Sequence, residues 1–118
     1  MMTFEFHKEV VHDTDFAKID LRVGTVVHAE PFPEARKPAI KLRIHFGPLG
    51  IKATSAQVTR RYEPASLVGR QVIAVVNFPP KRIAGYVSEV LLLGGIPEED
   101  DVVLLHPDTR VPDGTPIA

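Results

Sequence analysis

A small closed β-barrel, in an all-β dominated chain, is the fold class that these 118 residues predict. Eleven prolines and eight glycines divide the chain into short segments, and turn signals at that density leave room for short strands with few helices. Alternation of period two, clearest where Ile40, Leu42, Ile44 and Phe46 interleave with Lys41, Arg43 and His45, marks half-buried strands. The segments run as three strands, a short helix and two further strands. That is the order of a five-stranded Greek-key barrel, the OB-fold, in which closure removes exposed strand edges.

Residues 1–12 show no clear element. Side-chain oxygens of Asp13, Thr14 and Asp15 suit the start of a short helix at residues 14–19, with acids where the helix dipole favours them. Residues 21–30 read as a strand rich in Val and Thr, with Gly24 as a bulge or bend, and Pro31-Phe32-Pro33 stops it. The alternating strand spans residues 39–46, and Gly47-Pro48-Leu49-Gly50 turns the chain. A third strand, residues 51–59, carries Ala53-Thr54-Ser55-Ala56-Gln57; side chains this small leave room for something to approach its backbone. Pro64 suits the first position of a helix and Gly69 its end; this helix would plug the barrel between strands three and four. Residues 71–77 form the most apolar strand. Pro79-Pro80 cannot donate to a ladder, so Lys81 and Arg82 are expected on a loop. Residues 86–93 make the fifth strand, residues 97–101 an exposed acidic turn, residues 102–105 one more strand, and Val111-Pro112-Asp113-Gly114 a last turn. The reading is one domain over residues 1–118, with the barrel at about 16–94; the short N-terminal helix and the appended stretches 1–15 and 95–118 are candidates for a dimer contact.

Several function classes are disfavoured by the residues present. With no cysteine there is no disulfide framework, thiolate zinc site or cysteine nucleophile. The five histidines lack ligand spacing, Ser55, Ser66 and Ser88 lack a strand-turn-helix nucleophile elbow, and no glycine-rich phosphate cradle precedes a helix. Neither an enzyme nor a cofactor or metal is expected. The longest apolar runs, residues 71–76 and 90–93, are strand-sized, and the N-terminus has no basic-then-apolar signal pattern. A cytoplasmic protein without membrane insertion is the expectation.

A net charge of −1 conceals a strong asymmetry. Residues 36–82 hold ten basic residues against the single acid Glu63, whereas residues 1–35 carry −4 and residues 83–118 carry −6. A polyanion responds to the local field, so the basic centre fits an RNA backbone. The competing expectation is that the acidic ends fold over the middle and neutralise it.

Val23-Gly24, Ser55-Ala56-Gln57, Leu67-Val68-Gly69-Arg70-Gln71-Val72 and above all residues 77–85 (NFPPKRIAG) followed by Ser88-Glu89 resemble the tRNA-binding domain family. That family includes the C-terminal appendix of methionyl-tRNA synthetases and free-standing tRNA-binding proteins. Within it the forms SAQ and NFPP are similar to the CsaA subgroup of export-related, chaperone-like proteins. The resemblance covers roughly residues 16–117 and implies an OB-fold, a homodimer, non-catalytic binding of tRNA or another structured RNA and, for the subgroup, binding of unfolded preproteins in protein export. Lys81, Arg82 and Ser88 match the family's basic and serine positions on its RNA-facing side. The sequence departs from many relatives at Leu91, where Met is common, and at His45, where Asp is common.

The expected RNA contacts are therefore Arg36, Lys37, Lys41, Arg43, Lys52, Arg60, Arg61, Asn77, Lys81, Arg82 and Ser88, with Lys41, Arg43, Lys52, Lys81 and Arg82 on one face. Aromatic residues are few near the basic block, which favours recognition of a folded RNA by shape and backbone over single-strand readout. Phe32, Phe78, Pro79, Ile83 and Tyr86 sit on or beside expected loops and are the candidates for an apolar polypeptide groove. RNA delivery to a synthetase, general RNA binding and chaperoning all remain open at this point, because a cationic face beside apolar loops serves each of them.

Overall fold

The computed structural model describes residues 4–118. Its framework is one antiparallel sheet of five strands, β1 (Leu21–Pro31), β2 (Ile40–His45), β3 (Ile51–Ala56), β4 (Gln71–Val75) and β7 (Leu91–Leu92), in the order β3-β2-β1-β4-β7. Strand β1 carries the sheet because it changes partner along its length. Its first half, Leu21 to Thr25, pairs with β4, and its second half, Thr25 to Pro31, pairs with β2. The bulge that permits this lies between Val26 and His28, not at Gly24 as the sequence suggests. Gly24 instead faces the core, where an added Cβ would stand 2.7 Å from both Ile44 Cγ2 and the Phe46 ring. The missing side chain there admits two fully buried neighbours.

The alternation in β2 is borne out. Ile40, Leu42 and Ile44 are buried with Phe46 just beyond, Arg43 is exposed and Lys41 and His45 are half-buried. These residues meet Val26, Val58, Leu67, Val72, Ala74 and Val90 in a single core cluster. Each Val, Leu, Ile or Phe side chain removed from water there contributes about 1.5–3 kcal/mol. Helix α2 (Pro64–Leu67) begins at Pro64, as expected, and its buried Leu67 plugs the core. Helix α1 is shorter than expected, Asp13–Phe16, with turns continuing to Ile19. Asp15 accepts the His12 amide hydrogen, which sets the start one residue early.

The fifth strand departs most from expectation. Residues 86–93 do not run continuously but divide into β6 (Tyr86–Ser88) and β7, with a kink at Glu89-Val90. The kink closes the barrel: the Glu89 amide donates to the Ala53 carbonyl at 2.8 Å, the Ala53 amide donates to Glu89 Oε1 at 3.0 Å, and the buried Thr54 hydroxyl donates to the Val90 carbonyl at 2.7 Å. The backbone that the small residues of β3 admit is thus the chain's own.

The expected loop at Lys81-Arg82 is a hairpin. Strand β5 (Lys81–Ile83) pairs with β6 through a two-residue turn in which Ala84 and Gly85 have φ of 47° and 81°, the double positive φ of a type I′ turn. The prolines end at position 80, so Lys81, Arg82 and Ile83 all retain the N–H that a ladder needs.

Beyond the barrel, β8 (Gly94–Glu98) and β9 (Asp101–Leu104) form a further hairpin, and the last residues run antiparallel along the otherwise open side of β1. Gly114 donates to Val23 O, Val23 to Thr115 O and Ile117 to Leu21 O, at 2.7–2.9 Å. Thr25 and Gln71 hold this strap by donating to Asp113 Oδ1. Asp101, expected in an exposed acidic turn, is buried against Arg61. Among the described residues no helix is long and apolar enough to cross a membrane.

Candidate nucleic-acid interface

Barrel closure places the β5–β6 hairpin opposite the loop between β1 and β2, and a groove of about 800 Å³ lies between them. Arg36 and Lys37 line it from the loop, Ser55, Ala56 and Gln57 from the end of β3, and Lys81, Ile83 and Ala84 from the hairpin. Segments separate in sequence, including the two most specific motifs, thus converge on one cleft. The side chains of Arg36, Lys37 and Lys81 are exposed there and make no hydrogen bond or ion pair with the rest of the described chain. Three cations thus stand against the single carboxylate of Glu34 at the groove, which leaves it net positive.

The hairpin register separates two cations that read as a pair. Lys81 lies opposite Ser88 and Ile83 opposite Tyr86, which puts these four on one face, while Arg82 lies opposite Val87 on the other. Lys81 enters the groove; Arg82 is exposed behind it, with a guanidinium nitrogen 3.3 Å from its own turn at Gly85 O. Ser88 is occupied by the Thr54 hydroxyl at 2.8 Å. Asn77 is also occupied, accepting the Asp20 amide and donating to Lys18 O, so that it ties the segment after α1 to the end of β4.

The remaining basic residues fall into three sets. Lys41 and Arg43 share the outward face of β2, opposite Ser55 and Ala53, while Lys52 lies opposite the inward Ile44 and is half-buried. The expected five-residue face therefore does not include Lys52 or Arg82. Arg60 is held by Glu98 at 3.2 Å, and Arg61 makes a two-nitrogen bond to Asp101. There the acidic C-terminal part does neutralise the basic centre.

The aromatic candidates are largely committed within the chain. Phe32 is 3% exposed and meets Tyr86 edge-on, ring centres 5.5 Å apart. Lys41 Nζ stands 4.8 Å from the Phe32 ring centre and 4.9 Å from that of Tyr86, a cation shared by two ring faces. Burial, opposed by Arg43 and reinforced by Glu30 and Glu89, pushes the Tyr86 hydroxyl above its ordinary pKa. Phe78 and Pro79 are exposed, and Ile83 belongs to the groove.

Sequence reasoning did not single out Glu34 or Gln57, both exposed in the groove wall. Gln57 was within reach, as the last residue of the Ser55-Ala56-Gln57 motif. The described residues hold no cluster of three or more His, Asp or Glu side chains able to bind a metal.

Comparison with known proteins decides the family. A family model described as a putative tRNA binding domain matches residues 21–116. The chain belongs to that family. The match ends within the C-terminal strap, in keeping with the strap's bonds to β1. The structure of the chaperone CsaA from Bacillus anthracis has 59% sequence identity, covers 93% of this chain and all of its own, and superposes with a TM-score of 0.91. That of the CsaA chaperone protein from Picrophilus torridus has 49% identity over 92% of this chain and all of its own, with a TM-score of 0.86. The methionine–tRNA ligase of Methanococcoides burtonii is 32% identical over 108 residues, 92% of this chain and 16% of the ligase. The chain spans about one sixth of the length of the curated ligases it matches.

The Arg61–Asp101 contact gives a pH signature. The Arg61 guanidinium, chiefly through its hydrogen bonds, holds the Asp101 carboxyl below the ordinary carboxylate range. A depressed folded-state pKa contributes stability above the unfolded value, about 4, and loses it as pH falls through the folded value. Asp101→Asn is expected to lower the thermal midpoint at pH 7 and to flatten its decline below about pH 4. Parallel declines in variant and wild type, followed by circular dichroism, would contradict this.

Proposed function

We propose that this protein is a non-catalytic, cytoplasmic RNA-binding module that holds tRNA by its phosphate backbone in the groove between the β1–β2 loop and the β5–β6 hairpin. The observation that carries the reading is the convergence of the Arg36, Lys37 and Lys81 side chains, all without partners in the described chain, on a cleft lined by Ser55 and Ala56. Phosphate oxygens accept from such cations, and each neutralised phosphate releases counterion, so affinity falls steeply with salt. Lys41 and Arg43 extend the positive surface along β2. Arg60 and Arg61 are left out, since an RNA would first have to displace Glu98 and Asp101. Delivery of tRNA to a synthetase is the narrower form of this function that the matching ligases support.

A second role, binding unfolded preproteins for export as a homodimer, is favoured by exposed apolar side chains. Phe78 is 43% exposed in the segment that leads into β5, and Phe4, Phe6, Val10, Val11 and Phe16 are exposed along the N-terminal stretch. The likeness to two structures described as chaperones supports it further. The apolar contacts then narrow to Phe78, Pro79 and Ile83, because Phe32 and Tyr86 are already packed together with Lys41. Equal suppression of aggregation by wild type and Phe78→Ser would remove the polypeptide role, and sedimentation at monomer mass would remove the pairing.

For RNA, tRNA affinity measured across a salt series should fall log-linearly, and Lys81→Glu should weaken binding and reduce the slope by about one. A wild-type affinity indifferent to salt would overturn the reading, as would Lys81→Glu binding like wild type.

A further inference from the structure

Beyond its three cations, the groove has features that phosphate binding leaves unused. The apolar part of its lining is made of small groups, Ala39, Ala56 and Ala84 with Ile83, and can serve as a floor. The same groove is lined by two polar side chains without partners in the described chain, the Gln57 amide and the Glu34 carboxylate. A site built only for phosphate has no use for a carboxylate, which repels it, nor for an aliphatic floor. At about 800 Å³ the cleft is roomy enough for more than a backbone segment.

We infer that the groove takes an unpaired nucleotide of the RNA, its base lying on the Ile83 and alanine floor and its edge read by Gln57 and Glu34. The inference rests on the reading of this groove as the RNA site. An ionised carboxylate only accepts hydrogen bonds, and an amide both donates and accepts. Together they match a base edge that carries an exocyclic amino group, as cytosine, adenine and guanine do. Uracil has only its N3–H to donate, flanked on both sides by carbonyl oxygens, so a carboxylate accepting it is set against a neighbouring oxygen, whereas an amino group at the end of the edge is free of that repulsion. Arg36, Lys37 and Lys81 at the rim would hold the phosphates on either side of the extruded base, a division between positioning and reading common in nucleic-acid recognition. In a continuous duplex the bases stay stacked, and the floor and its two polar groups go unused.

The test compares three RNAs of equal charge with the full chain by fluorescence anisotropy: a stem with a cytosine loop, the same stem with a uracil loop, and a blunt duplex. The cytosine loop should bind about tenfold more tightly than either of the others. Gln57→Ala and Glu34→Gln should each bring that ratio towards one, with folding checked by circular dichroism. Equal binding of all three RNAs by wild type, with the salt dependence intact, would overturn this inference while leaving the phosphate reading in place. Loss of all RNA binding together with its salt dependence would remove both. An unfolded basic peptide whose binding is abolished by Gln57→Ala, with the cytosine-loop preference unchanged, would make the groove a polypeptide site and also overturn it.

Discussion

The hydrogen bonds that join Glu89 and Val90 to Ala53 and Thr54 are the constraint on which the remainder depends. They close the barrel at its weakest seam, where β7 has only two residues and cannot close the sheet by strand pairing alone. The same kink ends β6, so the direction in which the β5–β6 hairpin leaves the barrel is set there. Thr54 is 1% exposed, and its hydroxyl bonds both the Val90 carbonyl and Ser88. Leaving those buried partners unpaired would cost about 1–3 kcal/mol. A closed barrel with its hairpin anchored at that point faces the β1–β2 loop across a fixed gap, and the groove is that gap.

Charge follows from the same geometry. The chain is nearly neutral, yet its acids do not screen its bases uniformly, because the C-terminal hairpin reaches only one side of the barrel. There it ties up Arg60 and Arg61 through Glu98 and Asp101. Lys41 is steadied by two aromatic rings, and the side chains of Arg36, Lys37 and Lys81 have no partner among the described residues. The result is a local positive cleft on a protein of net charge −1, sufficient for steering because screening confines the relevant field to about 10 Å.

The barrel was legible in the sequence because alternation in β2, the Pro64 helix start and the apolar run Val72 to Val75 of β4 each have one structural solution. Two features were not. The β5–β6 hairpin was masked by Pro79-Pro80, whose effect stops one residue earlier than the loop reading required, and its turn has Ala at one positive-φ position, where Asn or Gly would have announced it. The site was legible as a set of cations but not as a surface. Register alone sends Arg82 away from Lys81 and Lys52 away from Lys41, and no one-dimensional pattern reveals which carboxylates return across the chain to Arg60 and Arg61. Gln57 stood in a quoted motif without a role because its meaning depends on Lys81 and Arg36, which lie 24 and 21 positions away in the chain.

The most direct measurement is backbone amide NMR on the full chain as tRNA is added. The account predicts that the first and largest shifts fall at Arg36, Lys37, Ser55 to Gln57 and Lys81 to Ala84, with Arg60, Arg61 and the C-terminal hairpin quiet. Shifts centred on Arg60, Arg61 and β8–β9, or spread evenly over every basic residue, would contradict it.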